Sequence, residues 1–174
     1  MGHTRWATHG VPSDRNSHPH TSQNGRLSII HNGIIENYAT LKEELTSRGH
    51  VFNSDTDTEV LIHLIEDIYK NNDINLNEAV RLALNEVTGA YAIVIIDQDN
   101  PDSLIAARKG SPMVIGVGQG EYFIASDATP IVEYTKNVIY LNDNEIAYLT
   151  RENLEIKRLD NVIQTPYIQA LELK

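Results

Sequence analysis

The segment Gly2-His3-Thr4-Arg5-Trp6-Ala7-Thr8-His9-Gly10 sets a fixed cation, the chain's one tryptophan, two hydroxyls and two imidazoles between glycines. It has too little aliphatic content for a core element. The Arg5 guanidinium is a planar fork of donors that matches a carboxylate or phosphate bidentately, so the segment is suited to holding an anion. The competing reading is a surface loop in which Arg5 makes a structural ion pair and Trp6 plugs the core. Two further polar clusters stand out, His31-Asn32-Gly33 and Asp55-Thr56-Asp57. Together the three could recognise a free amino acid, with Arg5 on its carboxylate and a carboxylate such as Asp57 on its ammonium. An Asn amide and a Gly N–H at a strand end could donate to a developing oxyanion, the usual assistance to acyl transfer. Singly each cluster is bland: Asn-Gly is a hairpin signal, and an Asp at a helix start is more often a cap than a ligand.

The elements that must position these clusters follow from periodicity. Leu27 to Ile30 is short, apolar and rich in β-branched residues, which predicts a buried strand ending in a tight turn at His31-Asn32-Gly33. Leu41 and Leu45 ahead of Gly49 predict that a helix follows. Thr56 and Glu59 have capping-box spacing, and Val60, Leu61, Leu64, Ile65 and Ile68 form one face of a helix to about Tyr69. A further helix is expected over 75–87. From Gly89 the period becomes that of strands, at 90–96, 104–107, 113–117, 122–125, 138–141, 145–149 and 154–157, in an antiparallel arrangement. A helical turn is expected near Pro130 to Tyr134. Beyond Asp160 the periodicity fades and Pro166-Tyr167 marks the start of a linker.

At 174 residues the chain is expected to form one domain. A net charge of -10 with scattered Lys and Arg argues against nucleic acid as a partner. No apolar run is long enough to span a bilayer, so no membrane association is expected. The absence of cysteine removes disulfides, zinc-thiolate sites and thiol nucleophiles together and suits a cytoplasmic location. His3, His9, His18, His20 and His31 raise the alternative of a metal-dependent hydrolase. Pro19 holds His18-x-His20 in loop and no helical His pair is present, so neither a metal nor another cofactor is expected.

Three stretches carry a resemblance: Gly-His-Thr-Arg-Trp-Ala-Thr-His-Gly at 2–10, His-Asn-Gly-Ile-Ile-Glu-Asn at 31–37 and Ser-Asp-Thr-Asp-Thr-Glu-Val at 54–60. The chain resembles the glutaminase domain of the class II (N-terminal-nucleophile) glutamine amidotransferases, in the form found in glutamine:fructose-6-phosphate aminotransferases. Ala-Arg-Lys-Gly-Ser-Pro at 107–112 and Ala-Ser-Asp-Ala-Thr-Pro at 125–130 fit the same family. The resemblance implies an α+β fold, a four-layer αββα sandwich, spanning 1–160, with 161–174 as linker. It implies hydrolysis of the L-glutamine side-chain amide and delivery of ammonia to sugar-phosphate isomerase domains for glucosamine 6-phosphate synthesis. By position, Arg5 would bind the α-carboxylate with help from Thr8 and His9, and Asp57 the α-ammonium. Asn32 and Gly33 would form the oxyanion hole, Trp6 would lie in a mobile loop over the glutamine, and His18 near that loop.

The family's nucleophile is a cysteine at the mature N-terminus whose own α-amine acts as base, and this chain has no cysteine. The expectation is therefore a glutaminase domain without its first strands and without the isomerase domains, inactive alone. Its uncovered sheet edge would favour a homo-oligomer. The alternative is a non-catalytic glutamine-binding or interaction module of the same fold.

Overall fold

The computed structural model describes residues 1–172. After a 3-10 turn at Asp14–Asn16, the elements are β1 (His20–Thr21), β2 (Leu27–Ile35), α1 (Tyr38–Ser47), α2 (Asp57–Asn71), α3 (Leu76–Glu86) and β3 (Gly89–Asp97). Then come β4 (Leu104–Lys109), β5 (Val114–Val117), β6 (Tyr122–Ala125), β7 (Asn137–Tyr140), β8 (Glu145–Leu149), β9 (Leu154–Arg158), β10 (Ile163–Gln164) and β11 (Gln169–Ala170). They build an antiparallel seven-stranded sheet in the order β1-β2-β3-β4-β8-β9-β10 and a four-stranded sheet in the order β11-β7-β5-β6.

The large sheet is covered on both faces, which is why its strands read as nearly continuous apolar runs. Ile93, Ile95, Ile105, Ala107 and Ile146 pack against the helices. Their neighbours Ala92, Val94, Ala106, Ala147 and Leu149 pack toward the small sheet, as the two-residue period of a strand requires. The layers therefore run helices, large sheet, small sheet, an α+β architecture. On the outer face of the small sheet Ile131 packs on Val114 and Val138, carried there by turns closed by Ile131 N–H to Ala128 O and Thr135 N–H to Ile131 O. These turns occupy the position of the fourth layer and supply the helical turn expected near Pro130.

β2 is longer than its apolar run suggested. It pairs with β3 without a break from Leu27 opposite Asp97 to Ile35 opposite Gly89, so His31-Asn32-Gly33 lies within the strand. The turn falls at 36–37 instead. Gly33 has φ +113, and a Cβ there would sit 2.3 Å from the Ala90 carbonyl oxygen. The glycine thus serves close approach of two backbones in a ladder, which a local turn signal cannot distinguish from a hairpin.

Beyond Asp160 the chain does not leave the body as a free linker. Asn161, at φ 72, turns it back so that β10 pairs with β9, and β11 then pairs with β7. Residues 163–170 thus edge both sheets, and 173–174 lie outside the described residues. No helix among the described residues is long and apolar enough to cross a membrane.

Candidate functional site

The loop of residues 3–11 is shaped by its own polar groups. Arg5 donates from Nη2 to the carbonyls of His9 and Gly10, the latter at 3.0 Å, and from Nη1 to Val11 O at 3.3 Å. The buried Asn16 fastens the loop to the approach of α2: its Nδ2 donates to Val11 O at 3.0 Å and its Oδ1 accepts from Asp55 N–H at 2.8 Å. Gly10, at φ +79, is required there, because a Cβ would lie 2.7 Å from that Asn16 amide.

α2 starts at a true cap. The Thr56 hydroxyl accepts from Glu59 N–H at 3.3 Å, but the reciprocal half of the expected capping box is replaced. The Glu59 carboxylate instead accepts from Asn53 N–H at 3.0 Å and from Ser54 N–H and Oγ–H at 2.7 and 2.8 Å. Burial alone would raise the Glu59 pKa; hydrogen bonds from His63, Asn53 and Ser54 overcome it and hold the group at about 2. That frees Asp57, in the first turn, from any capping duty. Its Oδ2 accepts the Ile35 N–H at 2.8 Å, and among the described residues no hydrogen bond is made to Oδ1.

The loop, the second half of β2 and the start of α2 enclose a cavity of about 260 Å³ whose walls include Arg5, Trp6, Asn32, Gly33 and Asp57. Asn32 Oδ1 is held by His3 Nε2 at 2.6 Å, which leaves the amide Nδ2–H free to donate. Of the five N–H groups of Arg5, three serve the loop carbonyls, so Nε–H and one on Nη1 remain. Under the cavity runs a chain of neutral imidazoles. His31 Nε2–H donates to Ala90 O at 3.4 Å, so its Nδ1 accepts from the Thr58 hydroxyl at 2.9 Å. Thr58 Oγ1 in turn accepts from His18 Nε2–H at 3.0 Å. Burial, aided by His3, His20, His31 and Arg5, pushes His18 down to about 3, and burial likewise lowers His20 and His31.

The structure thus gathers Arg5, Trp6, Thr8, His18, Asn32, Gly33 and Asp57 around one cavity. It does not bring His9 to the wall: the ring packs on Tyr38 at 4.5 Å between centroids, below the loop. Trp6 is 89 % exposed, so it plugs no core. His3 and His31 fall in the polar clusters singled out from the sequence but are given no role of their own there, and Thr58 is not singled out at all. Each acts through a partner distant in the chain, Asn32 for His3 and Thr58 for His31 and His18, which no local pattern announces.

A second opening of about 240 Å³ lies between the sheets, beside Asn32, lined by Gly2, His3, Thr4, Ile30, Val94 and Met113 among others. β1 pairs only with Ser28 and Ile29, so the following part of that β2 edge has no strand partner among the described residues.

Antiparallel sheets stacked under one helical layer, with a cavity at the sheet–helix junction into which Arg5, Asn32 and Asp57 are set, fit a glutamine amidotransferase domain. The chain belongs to that family: the family model described as a glutamine amidotransferase domain matches residues 3–133. Among its relatives are the glutamine–fructose-6-phosphate aminotransferases (isomerizing) of Bacteroides thetaiotaomicron, 57% identical over 100% of this chain, and of Thermococcus kodakarensis, 52% identical over 95%. The chain spans 28% of the length of each. A solved Bacillus subtilis glutamine phosphoribosylpyrophosphate amidotransferase, complexed with ADP and GMP, superposes with a TM-score of 0.75 at 28% identity, over 92% of this chain and 35% of its own. A class-II glutamine aminotransferase domain protein from Silicibacter pomeroyi, 16% identical with a TM-score of 0.59 over 83% of this chain and 70% of its own, shares the fold.

Proposed function

We propose that the cavity binds L-glutamine and that the chain is the glutamine-recognising part of a glutaminase serving glucosamine 6-phosphate synthesis. The observation that carries this reading is the buried Asp57 carboxylate in the cavity wall, with Oδ2 fixed on Ile35 and no hydrogen bond to Oδ1 among the described residues. A buried carboxylate with an unused oxygen is suited to an ammonium group. The remaining Arg5 donors take the α-carboxylate, with Thr8 at the rim. The side-chain amide then lies toward Asn32 Nδ2–H and Gly33 N–H, donors positioned to stabilise the oxyanion of a tetrahedral intermediate. Trp6, exposed on the same loop, covers the bound amino acid.

Amide hydrolysis also needs a nucleophile, and none of the 174 residues is a cysteine. In the family this chain resembles, a cysteine thiol attacks the amide carbon and its own amine takes the proton. The slot between the sheets opens beside Asn32 and can seat a segment bringing such a thiol to the cavity. The chain by itself then binds glutamine without turnover. Ammonia made in the completed enzyme passes to isomerase domains, in a cytoplasmic homo-oligomer associated through open sheet edges such as that of β6.

Calorimetric titration with L-glutamine tests the reading, with D-glutamine as the control. Saturable heat with the L-enantiomer alone supports it. Equal heats for both enantiomers, or none for either, contradict it.

A further inference from the structure

A second cluster of ionisable groups lies further along α2, and none of its members lines the glutamine cavity. His63 and Glu66 are buried on α2. His50 reaches them because α1 ends in a left-handed turn: Gly49 has φ +96, His50 N–H bonds Leu45 O at 3.0 Å and Gly49 N–H bonds Thr46 O at 3.1 Å. One ligand atom from each of His50, His63 and Glu66 lies within 4.8 Å of the others.

The hydrogen bonds around the two imidazoles point to what belongs between them. His50 Nε2 faces Asp67 Oδ1 at 3.1 Å, and His63 Nε2 faces Glu59 Oε2 at 3.3 Å. Each carboxylate draws the ring proton to Nε2, which leaves a lone pair on both Nδ1 atoms. Those two atoms are 2.9 Å apart. Two lone pairs at that distance repel unless a positive centre sits between them. A histidine whose far N–H is held by a carboxylate is also the usual arrangement of a metal ligand.

The charge balance agrees. Glu59, Glu66 and Asp67 are all buried, and among the described residues the cluster's one guanidinium at ion-pair distance is Arg48, on Asp67 at 2.6 Å. Two buried carboxylates are thus left to be balanced. One shared proton would balance one of them, and a divalent cation balances both. Glu66 is already oriented, since its two oxygens accept the Gln23 and Asn24 N–H groups at 3.1 Å each. Its Oε1 lies 4.0 Å from His50 Nδ1.

We propose that His50 Nδ1, His63 Nδ1 and Glu66 bind a divalent transition-metal ion of the zinc type, with Asp67 and Glu59 orienting the two imidazoles. Nitrogens on a tetrahedral zinc lie about 3.3 Å apart, so the pair opens slightly and Glu66 closes in. The fourth ligand is water from the open pocket lined by Gln23, Asn24, His50, Glu66 and Asp67. The ion pins the end of α1 to α2. This site departs from the sequence-based expectation of no metal, which weighed only the early histidines and found no helical pair.

The test is titration of chelator-treated protein with Co²⁺, followed by Zn²⁺. The expected result is one equivalent of tetrahedral Co²⁺, seen as an intense visible ligand-field band, displaced by Zn²⁺ with a rise in Tm. His50→Asn and Glu66→Gln, each confirmed as folded by circular dichroism, should weaken binding at least about a hundredfold, whereas His18→Gln leaves it intact. In the unsubstituted protein, ¹⁵N resonances of His50 and His63 shift on Zn²⁺ addition while those of His18 and His31 do not. Absence of the band, its survival in both cluster variants, its loss in His18→Gln, or shifts confined to His18 and His31 would overturn the proposal.

Discussion

Asp57 Oδ2 accepts the Ile35 N–H at 2.8 Å, so the first residue of α2 is fastened to the last residue of β2. This bond separates the structural duty of Asp57 from its binding duty. Asp57→Asn keeps an oxygen for Ile35 but loses the charge, and is expected to melt near the unsubstituted chain while binding L-glutamine roughly 10–100-fold more weakly. Asp57→Ala also strands the Ile35 N–H, at about 1–3 kcal/mol, and its Tm should fall by about 2–4 °C for each of those. Calorimetry and thermal melts on the two variants check both halves.

Gly33→Ala is expected to be far more damaging than its size suggests. The new methyl would lie 2.3 Å from Ala90 O and 3.0 Å from Ser111 Oγ, at φ +113. The backbone conformation alone costs about 1–3 kcal/mol, and the clash with the β3 backbone adds to it. A variant that melts at the original temperature would show that β2 and β3 do not approach as described.

His3 orients the Asn32 amide through a 2.6 Å hydrogen bond. In an enzyme carrying the family's N-terminal cysteine, Asn32→Ala should lower the glutaminase kcat by about 10²–10³, the range for loss of an oxyanion donor. His3→Phe should lower kcat by roughly tenfold, with a smaller effect on KM, because it removes the hydrogen bond that positions the Asn32 amide. Steady-state kinetics on both variants separates the two roles.

The imidazoles under the cavity give a pH dependence whose sign is fixed. His18, at about 3, stays neutral when folded, and burial makes His20 and His31 harder to protonate, whereas an unfolded histidine takes up a proton near its ordinary value of 6.5. Below 6.5 the unfolded chain therefore binds more protons, and stability falls with pH. The contribution of His18 is complete above 6.5 and declines as pH falls toward its folded value near 3. Glu59, held near 2 against an ordinary 4.5, adds its loss only below 4.5. Between these, the decline belongs to the histidines. Thermal melts from pH 7 to pH 5 should show falling Tm, with a shallower slope in His18→Gln.

What was legible in the sequence was what a local period encodes. The Thr56 cap, the apolar face from Val60 to Ile68 and the run of strands after Gly89 fell where expected, and Arg5, Asn32 and Asp57, picked out by residue type, line one cavity. What was not legible depends on partners distant in the chain. Asn32-Gly33 carries a turn signal that the ladder with β3 overrides. Glu59 has capping-box spacing yet serves Asn53 and Ser54, and Trp6 lies on the surface because loop 3–11 folds over the cavity. Glu59, His63 and Glu66 do stand at helical spacing, but His50 completes the group only through the Gly49 turn. Residues past Asp160 have too little apolar character to announce strands, and gain theirs as edge partners of β9 and β7.

Glutamine binding in the cavity is tested most directly by a crystal structure of the chain grown with saturating L-glutamine. Density is expected in the cavity between loop 3–11 and α2, with the α-ammonium within hydrogen-bond distance of Asp57 Oδ1. The α-carboxylate should lie on Arg5 and the side-chain carbonyl toward Asn32 Nδ2 and Gly33 N. Glutamine found in the slot between the sheets, or seated in the cavity with its α-ammonium away from Asp57, would contradict this placement.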